Sequence, residues 1–267
     1  MNQLEFVRLD VSEGIATVTM ARPPVNALSA PMMRELAAVF TDLGRGTDAT
    51  VAILASDNDN VFCGGADIAE SERRHVRREL IKGESVADLV DSGAVVRECF
   101  SAIRDGALPV IAAVNGAAVG AGAGLVASCD LVVLAEQAWF ALPEINVGVL
   151  GGARHVQRLV GPFKAREMAY TGRRVSASEV YRLGAAAAVV PPSEIRAAAW
   201  ELAREIAGKS PMAIRMFKES MNRVEHLPLE EGYRLEQDYT TRLSKLDDSR
   251  EARDAYREKR APNWKWR

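Results

Sequence analysis

Neither a disulfide framework nor a thiolate metal site fits this chain. Its three cysteines, Cys63, Cys99 and Cys129, are odd in number and lack metal-ligand spacing, so free thiols in a reducing cytoplasm are expected. No apolar run is long enough to span a membrane, because Arg or Asp interrupts every candidate. Charge of one sign is also missing. Lys and Arg number 34 against 36 Asp and Glu, a formal net charge of −2, which gives no electrostatic case for nucleic acid or for an anionic membrane surface. The opening Met1-Asn-Gln-Leu-Glu-Phe-Val enters a strand within a few residues, without the apolar core of a signal peptide or an Arg/Ser-rich transit pattern. A cytoplasmic location is therefore expected. What the chain does have is apolar residues, 48% of 267, enough for one α/β domain with an appended helical segment.

The most informative stretch runs from Pro109 to Asp130. Val110 to Val114 is an uninterrupted apolar run that reads as a buried strand, four glycines follow between Gly116 and Gly124, and Leu125, Val126 and Cys129 resume a helical pattern. Glycine between a strand and a helix lets backbone N–H groups approach a ligand with no side chain in the way. The helix start adds partial positive charge, so the loop suits a phosphate or a transient oxyanion. Tight packing of helix on sheet would produce the same glycines. Val51 to Ala55 is a second buried strand, followed after a polar loop by Phe62-Cys63-Gly64-Gly65-Ala66-Asp67-Ile68. Two such junctions can each aim one N–H at a single oxygen, as a two-donor oxyanion hole requires.

At these residues the chain resembles the crotonase superfamily of enoyl-CoA hydratases and isomerases. The resemblance also takes in Asn26-Ala27-Leu28, Pro143-Glu144-Ile145, Gln157-Arg158-Leu159, Thr171-Gly172 and Glu258-Lys259-Arg260, and so covers almost the whole chain. It implies a spiral of ββα units over residues 1–192 that carries the site, and a C-terminal helical region over 193–267 for trimerisation and CoA contact. It further implies an acyl-CoA substrate, no cofactor beyond the CoA that arrives with it, and a homotrimer or a dimer of trimers. The backbone N–H groups of Ala66 and Ala121 match those that bind the thioester carbonyl. Ala27, Gly64, Asp67, Ile68, Gly120, Gly124 and Trp139 fall at substrate-binding positions. Tyr256 and Lys259 match the aromatic and the lysine that grip the adenosine 3′-phosphate.

One departure bears on the chemistry. The family's hydratases hold a water between two glutamates, at positions matching 124 and 144; here position 144 is Glu144 and position 124 is Gly124. One carboxylate moves a proton but holds water less firmly than two. The pattern therefore favours double-bond isomerisation by a single base, Glu144, over water addition, with hydration and a non-catalytic acyl-CoA binder as alternatives. Read without the resemblance, Glu144 is a carboxylate at a short helical turn, and Ala66 and Ala121 are small residues chosen for packing. Glycine at 124 would leave room for a bulkier acyl group. Burial near Trp139, Phe140 and Leu142 should raise the pKa of Glu144.

Along the chain, Phe6–Val11 and Ile15–Met20 read as a hairpin, and Ser29–Leu43 as a helix with Pro31 in its first turn. Ser176-Ala-Ser-Glu179 reads as a capping box with Gly184 as the stop. From Ser193 on, four charged helices are expected, at Ser193–Gly208, Pro211–Glu225, Pro228–Leu246 and Ser249–Lys259. The basic run from Glu70 to Lys82 reads as a solvated helix face. Arg73, Arg74 or Lys82 reaching a CoA phosphate, and a catalytic His75, are the sharper alternatives. His155 and His226 read as structural or exposed.

Overall fold

The computed structural model describes residues 4–70, 91 and 93–266. The basic run through Arg73, Arg74, His75 and Lys82 lies outside them. Two sheets organise the chain. The larger has the order β1-β2-β3-β5-β7-β10, formed by β1 (Val7–Ser12), β2 (Ile15–Met20), β3 (Val51–Ser56), β5 (Val110–Val114), β7 (Leu131–Ala135) and β10 (Ala188–Val190). Only the β1–β2 hairpin is antiparallel; the other pairs are parallel.

Both faces of this sheet are covered, which is why β3 and β5 read as continuous apolar runs. Ala16, Val18, Met20, Ala52, Leu54, Ala112 and Leu134 face the main core. The alternate residues Ile15, Ile53, Ile111 and Val133 meet Ile195, Ala199 and Ala203 of a later helix, α6 (Ile195–Ala207). The main core is closed by α1 (Ala30–Arg45) packed on α2 (Ala94–Arg104). Ser29 caps α1 by accepting from Met32 N, and Met32, Met33, Leu36, Val39 and Phe40 form its buried face.

The smaller sheet has the order β4-β6-β8-β9: β4 (Val61–Cys63), β6 (Ala117–Val119), β8 (Trp139–Ala141) and β9 (Val175–Ser176). Between its strands come α3 (Ala121–Ala127) and α4 (Ala153–Thr171), the latter broken at Gly161-Pro162. The Ser176 side chain accepts from Glu179 N and opens α5 (Ala177–Arg182), as the capping pattern predicts. Three further helices complete the chain: α7 (Pro211–Val224), α8 (Leu229–Leu243) and α9 (Asp247–Glu258). All three cysteines are free and buried, and no described helix is long and apolar enough to cross a membrane.

Candidate active site

Strands β4, β6 and β8 run parallel, with a register shift in β4 between Val61 and Cys63 that brings Cys63 beside Ala118 beside Phe140, and with Val119 beside Ala141. Their C-terminal ends lie along one edge, where ligands bind in parallel sheets. Each strand delivers one segment there: Gly64–Ile68 from β4, Gly120–Ala121 from β6 and Leu142–Glu144 from β8. The sequence pattern reads Gly116–Gly124 as a single loop after the buried strand. Instead β6 stands inside it and β4 begins at Val61, so the glycines at the site follow strands only three residues long. Runs that short carry no periodicity to detect.

The first segment is held by its backbone. Gly64 N donates to Val25 O (2.8 Å), Leu28 N to Gly65 O (2.7 Å) and Asp67 N to Leu28 O (3.1 Å). Ala66, an exposed residue, lies between these bonds, and among the described residues its N–H donates to no protein group. Arg22, which the motifs alone do not single out, ties the segment down: Nη2 donates to Asp67 Oδ2 at 2.6 Å and Nη1 to Ala27 O at 2.9 Å. Asp67 Oδ1 accepts from Glu70 N, and Glu70 Oε1 accepts from Ala30 N. Ile68 is exposed.

The second segment turns at Gly120, with φ 54° and ψ −117°, a conformation open only to glycine. Gly120 N donates to Ala141 O. The next N–H, that of Ala121, begins α3 and likewise has no partner among the described residues. The two donor segments touch. A Cβ added at Gly65 (φ 105°) would lie 2.9 Å from Val119 O and 3.9 Å from Ala121 N, so only glycine allows this approach.

Glu144 arrives on a 3-10 turn, Pro143–Val147. Its carboxylate lies against the Gly120 and Gly151 backbones, where a Cβ at either position would overlap Oε1. Oε2 is buried and has no hydrogen-bond partner among the described residues. Burial pushes this carboxyl above its ordinary pKa, opposed only by its own backbone N–H. Phe140 and Leu142, next to it in sequence, are buried. Trp139 is at the opposite end of β8, beneath the Arg174 guanidinium at 3.9 Å.

Gly124 does not open the room expected of it. It is buried, and a Cβ there would meet the Phe100 ring at 2.9 Å and Gly152 Cα at 3.8 Å. Phe100 is 3% exposed and meets the His155 ring edge-on, centroids 5.0 Å apart. His155 Nδ1 lies 3.2 Å from Ser128 Oγ, which donates to Gly124 O. Tyr256 and Lys259 are exposed at the end of α9, away from other site residues in sequence. A cavity of about 610 Å³ opens elsewhere, between α7 and the ends of β5 and β7, and contains none of these groups. No cluster of metal-ligating side chains occurs among the described residues.

The arrangement therefore offers two N–H groups without partners among the described residues, on touching segments, with a half-buried carboxylate against Gly120, beside one of them. The family model described as enoyl-CoA hydratase/isomerase matches residues 10–267. The chain belongs to the enoyl-CoA hydratase/isomerase family. Members of this family act on CoA thioesters, and the crotonase resemblance read from the motifs holds. A (7aS)-7a-methyl-1,5-dioxo-2,3,5,6,7,7a-hexahydro-1H-indene-carboxyl-CoA hydrolase from Rhodococcus jostii is 37% identical, covering 94% of this chain and 93% of that protein. A carnitinyl-CoA dehydratase from Proteus mirabilis is 32% identical, covering 98% and 99%. Among solved structures, an enoyl-CoA hydratase from Bacillus anthracis superposes with a TM-score of 0.88 at 29% identity over 98% and 100% of the two chains. An enoyl-CoA hydratase/isomerase from Mycobacterium paratuberculosis gives 0.89 at 28% identity over 99% and 100%.

Proposed function

We propose that this hydratase/isomerase-family chain moves the double bond of an enoyl-CoA thioester between the 3- and 2-positions, with Glu144 as its one acid–base group. The observation that carries this reading is the half-buried Glu144 carboxylate against Gly120, the residue before the Ala121 donor, with its Oε2 buried and without a hydrogen-bond partner among the described residues, and with glycine at position 124. The thioester oxygen accepts from the Ala66 and Ala121 N–H groups. Glu144 removes a proton from C2, and the electron pair moves into the carbonyl, giving an enolate stabilised by the two donors. The same carboxyl then returns the proton to C4: the 3,4 π pair forms the new C4–H bond, the 1,2 pair of the enolate shifts to make the 2,3-bond, and the carbonyl re-forms. No atom is gained or lost, and no cofactor enters.

Supplying crotonyl-CoA and a 3-enoyl-CoA separately, while following the absorbance of the conjugated thioester, tests this. A gain of signal from the 3-enoyl-CoA alone supports it. Glu144→Gln should lower the isomerisation rate roughly 100-fold or more; activity within about threefold of wild type would overturn the single-base reading. Silence toward every enoyl isomer, with tight acyl-CoA binding, would leave a non-catalytic binder.

The carnitinyl-CoA dehydratases among the relatives favour a second reading, addition or removal of water, which the crotonyl-CoA arm detects as loss of signal. Tyr256 and Lys259 as grips for the CoA 3′-phosphate, and a homotrimer or dimer of trimers, belong to the same proposal. Light scattering of the purified protein reads the oligomer directly.

A further inference from the structure

Gly124 stands three residues after Ala121 and four after the N-cap Gly120, on the side of α3 that each of them borders. Position 124 is therefore the one from which an α3 side chain would project beside the Ala121 donor. The volume such a side chain needs is taken. The Phe100 Cε2 and Cζ atoms would lie 2.9 and 3.4 Å from a Cβ at 124, closer than a side chain allows. The ring cannot simply swing away, since it is 3% exposed, with the His155 ring against it. His155 is fixed in turn at Ser128 Oγ, 3.2 Å away, and Ser128 returns a bond to Gly124 O at 2.9 Å. Phe100, His155 and Ser128 thus form a closed backing behind Gly124. Gly124 approaches Gly152, its Cα lying 3.4 Å from a Cβ at that residue, and the neighbouring Gly151 carries the Glu144 carboxylate. The acid and the aromatic ring consequently lie on two sides of one small glycine-lined patch.

We propose that Phe100 is a specificity-determining residue: its ring occupies the position where a second water-holding group would stand, and so restricts the site to proton transfer. This rests on the single-base reading above. Water addition needs oxygen delivered to C3 and a proton to C2, with the water held while it loses its proton. A water is retained only where two or more polar partners surround it, and an aromatic ring offers none. Phe100 acts by the space it fills. The absence of a second carboxylate is accordingly a property of the pair Phe100–Gly124, and replacing the glycine alone does not reverse it.

The test is the ratio of hydrated to isomerised product formed from one 3-enoyl-CoA, a quantity that does not depend on how much of the protein is folded. Gly124→Glu should leave the ratio at the wild-type value and lower the melting temperature, because the new Cβ collides with the ring. Gly124→Glu with Phe100→Ala should raise the ratio at least tenfold and recover part of the lost melting temperature. An equal rise in the single Gly124→Glu variant, or no rise in the folded double variant, overturns the proposal. Should the double variant not fold, Gly124→Ala carries the test: it lowers the melting temperature beside Phe100 but not beside Phe100→Leu, and equal losses in both backgrounds overturn the steric claim. A wild-type protein that turns over no enoyl-CoA overturns the single-base reading and this inference with it. A wild-type isomerase whose variants keep its ratio overturns this inference alone.

Discussion

A carboxyl group with one oxygen buried and unpartnered favours its protonated form, and that is the condition of Glu144. In the proposed isomerisation Glu144 is the base of the first step and must be ionised, so kcat should fall with decreasing pH through a pKa above the ordinary carboxylate range, and the pH–rate profile measures it. The effect on stability has the opposite sense. The folded pKa is raised, so the folded state binds this proton more tightly than the unfolded one. The contribution is complete below the unfolded pKa and is lost as pH rises through the folded one. Glu144→Gln, neutral at every pH, should therefore melt above wild type near pH 7, and the gap should close near pH 4. Gly120 is the second sensitive residue. Gly120→Ala sets a Cβ on Glu144 Oε1 at φ 54°. It should cost about 1–3 kcal/mol of stability in a urea titration and at least about tenfold in turnover, since displaced catalytic groups lose rate steeply.

At the scale of elements, two contacts hold the site segments in place. Arg22 joins the Ala27 carbonyl to Asp67 on either side of Ala66. Arg22→Met should speed amide exchange across residues 64–70 and leave β3 unchanged, because local opening follows the loss of local contacts. Lys218 of α7 donates to Ile103 O, Leu108 O and Asp130 Oδ2, and its side chain is 3% exposed. Lys218→Met should destabilise the protein by about 3 kcal/mol, measured by urea unfolding, because Asp130 and two carbonyls lose their cation. The sequence shows α1, the first hairpin and the Ser176 cap because each carries a repeating apolar face or a capping side chain. It hides β4 and β6, since three residues of strand show no alternation. Ala66, Ala121 and Glu144 are legible through their motifs. Arg22 and Phe100 are not: Arg22 acts through partners 5 and 45 residues away, and Phe100, spaced with Val95, Cys99 and Ile103 on α2, reads only as core.

At the scale of the molecule, the thiols report on the fold as a whole. Burial pushes Cys63 and Cys99 up to about 12 and raises Cys129 as well. Since the thiolate is the reactive form, a thiol reagent near pH 8 should modify none of the three in the native protein and all three in denaturant. Partial labelling before the urea transition would contradict a single cooperative core. The two unpartnered donors and the acid hang from three neighbouring strands, but they are made of different material. The donors are main chain, which any residue at 66 or 121 other than proline would supply; the acid is a side chain, and a one-letter change removes it. Under the proposed function, mutation can therefore rewrite what is done to a bound thioester while leaving untouched the means of gripping it, and a scaffold divided in this way can diversify its reactions without first losing its substrate.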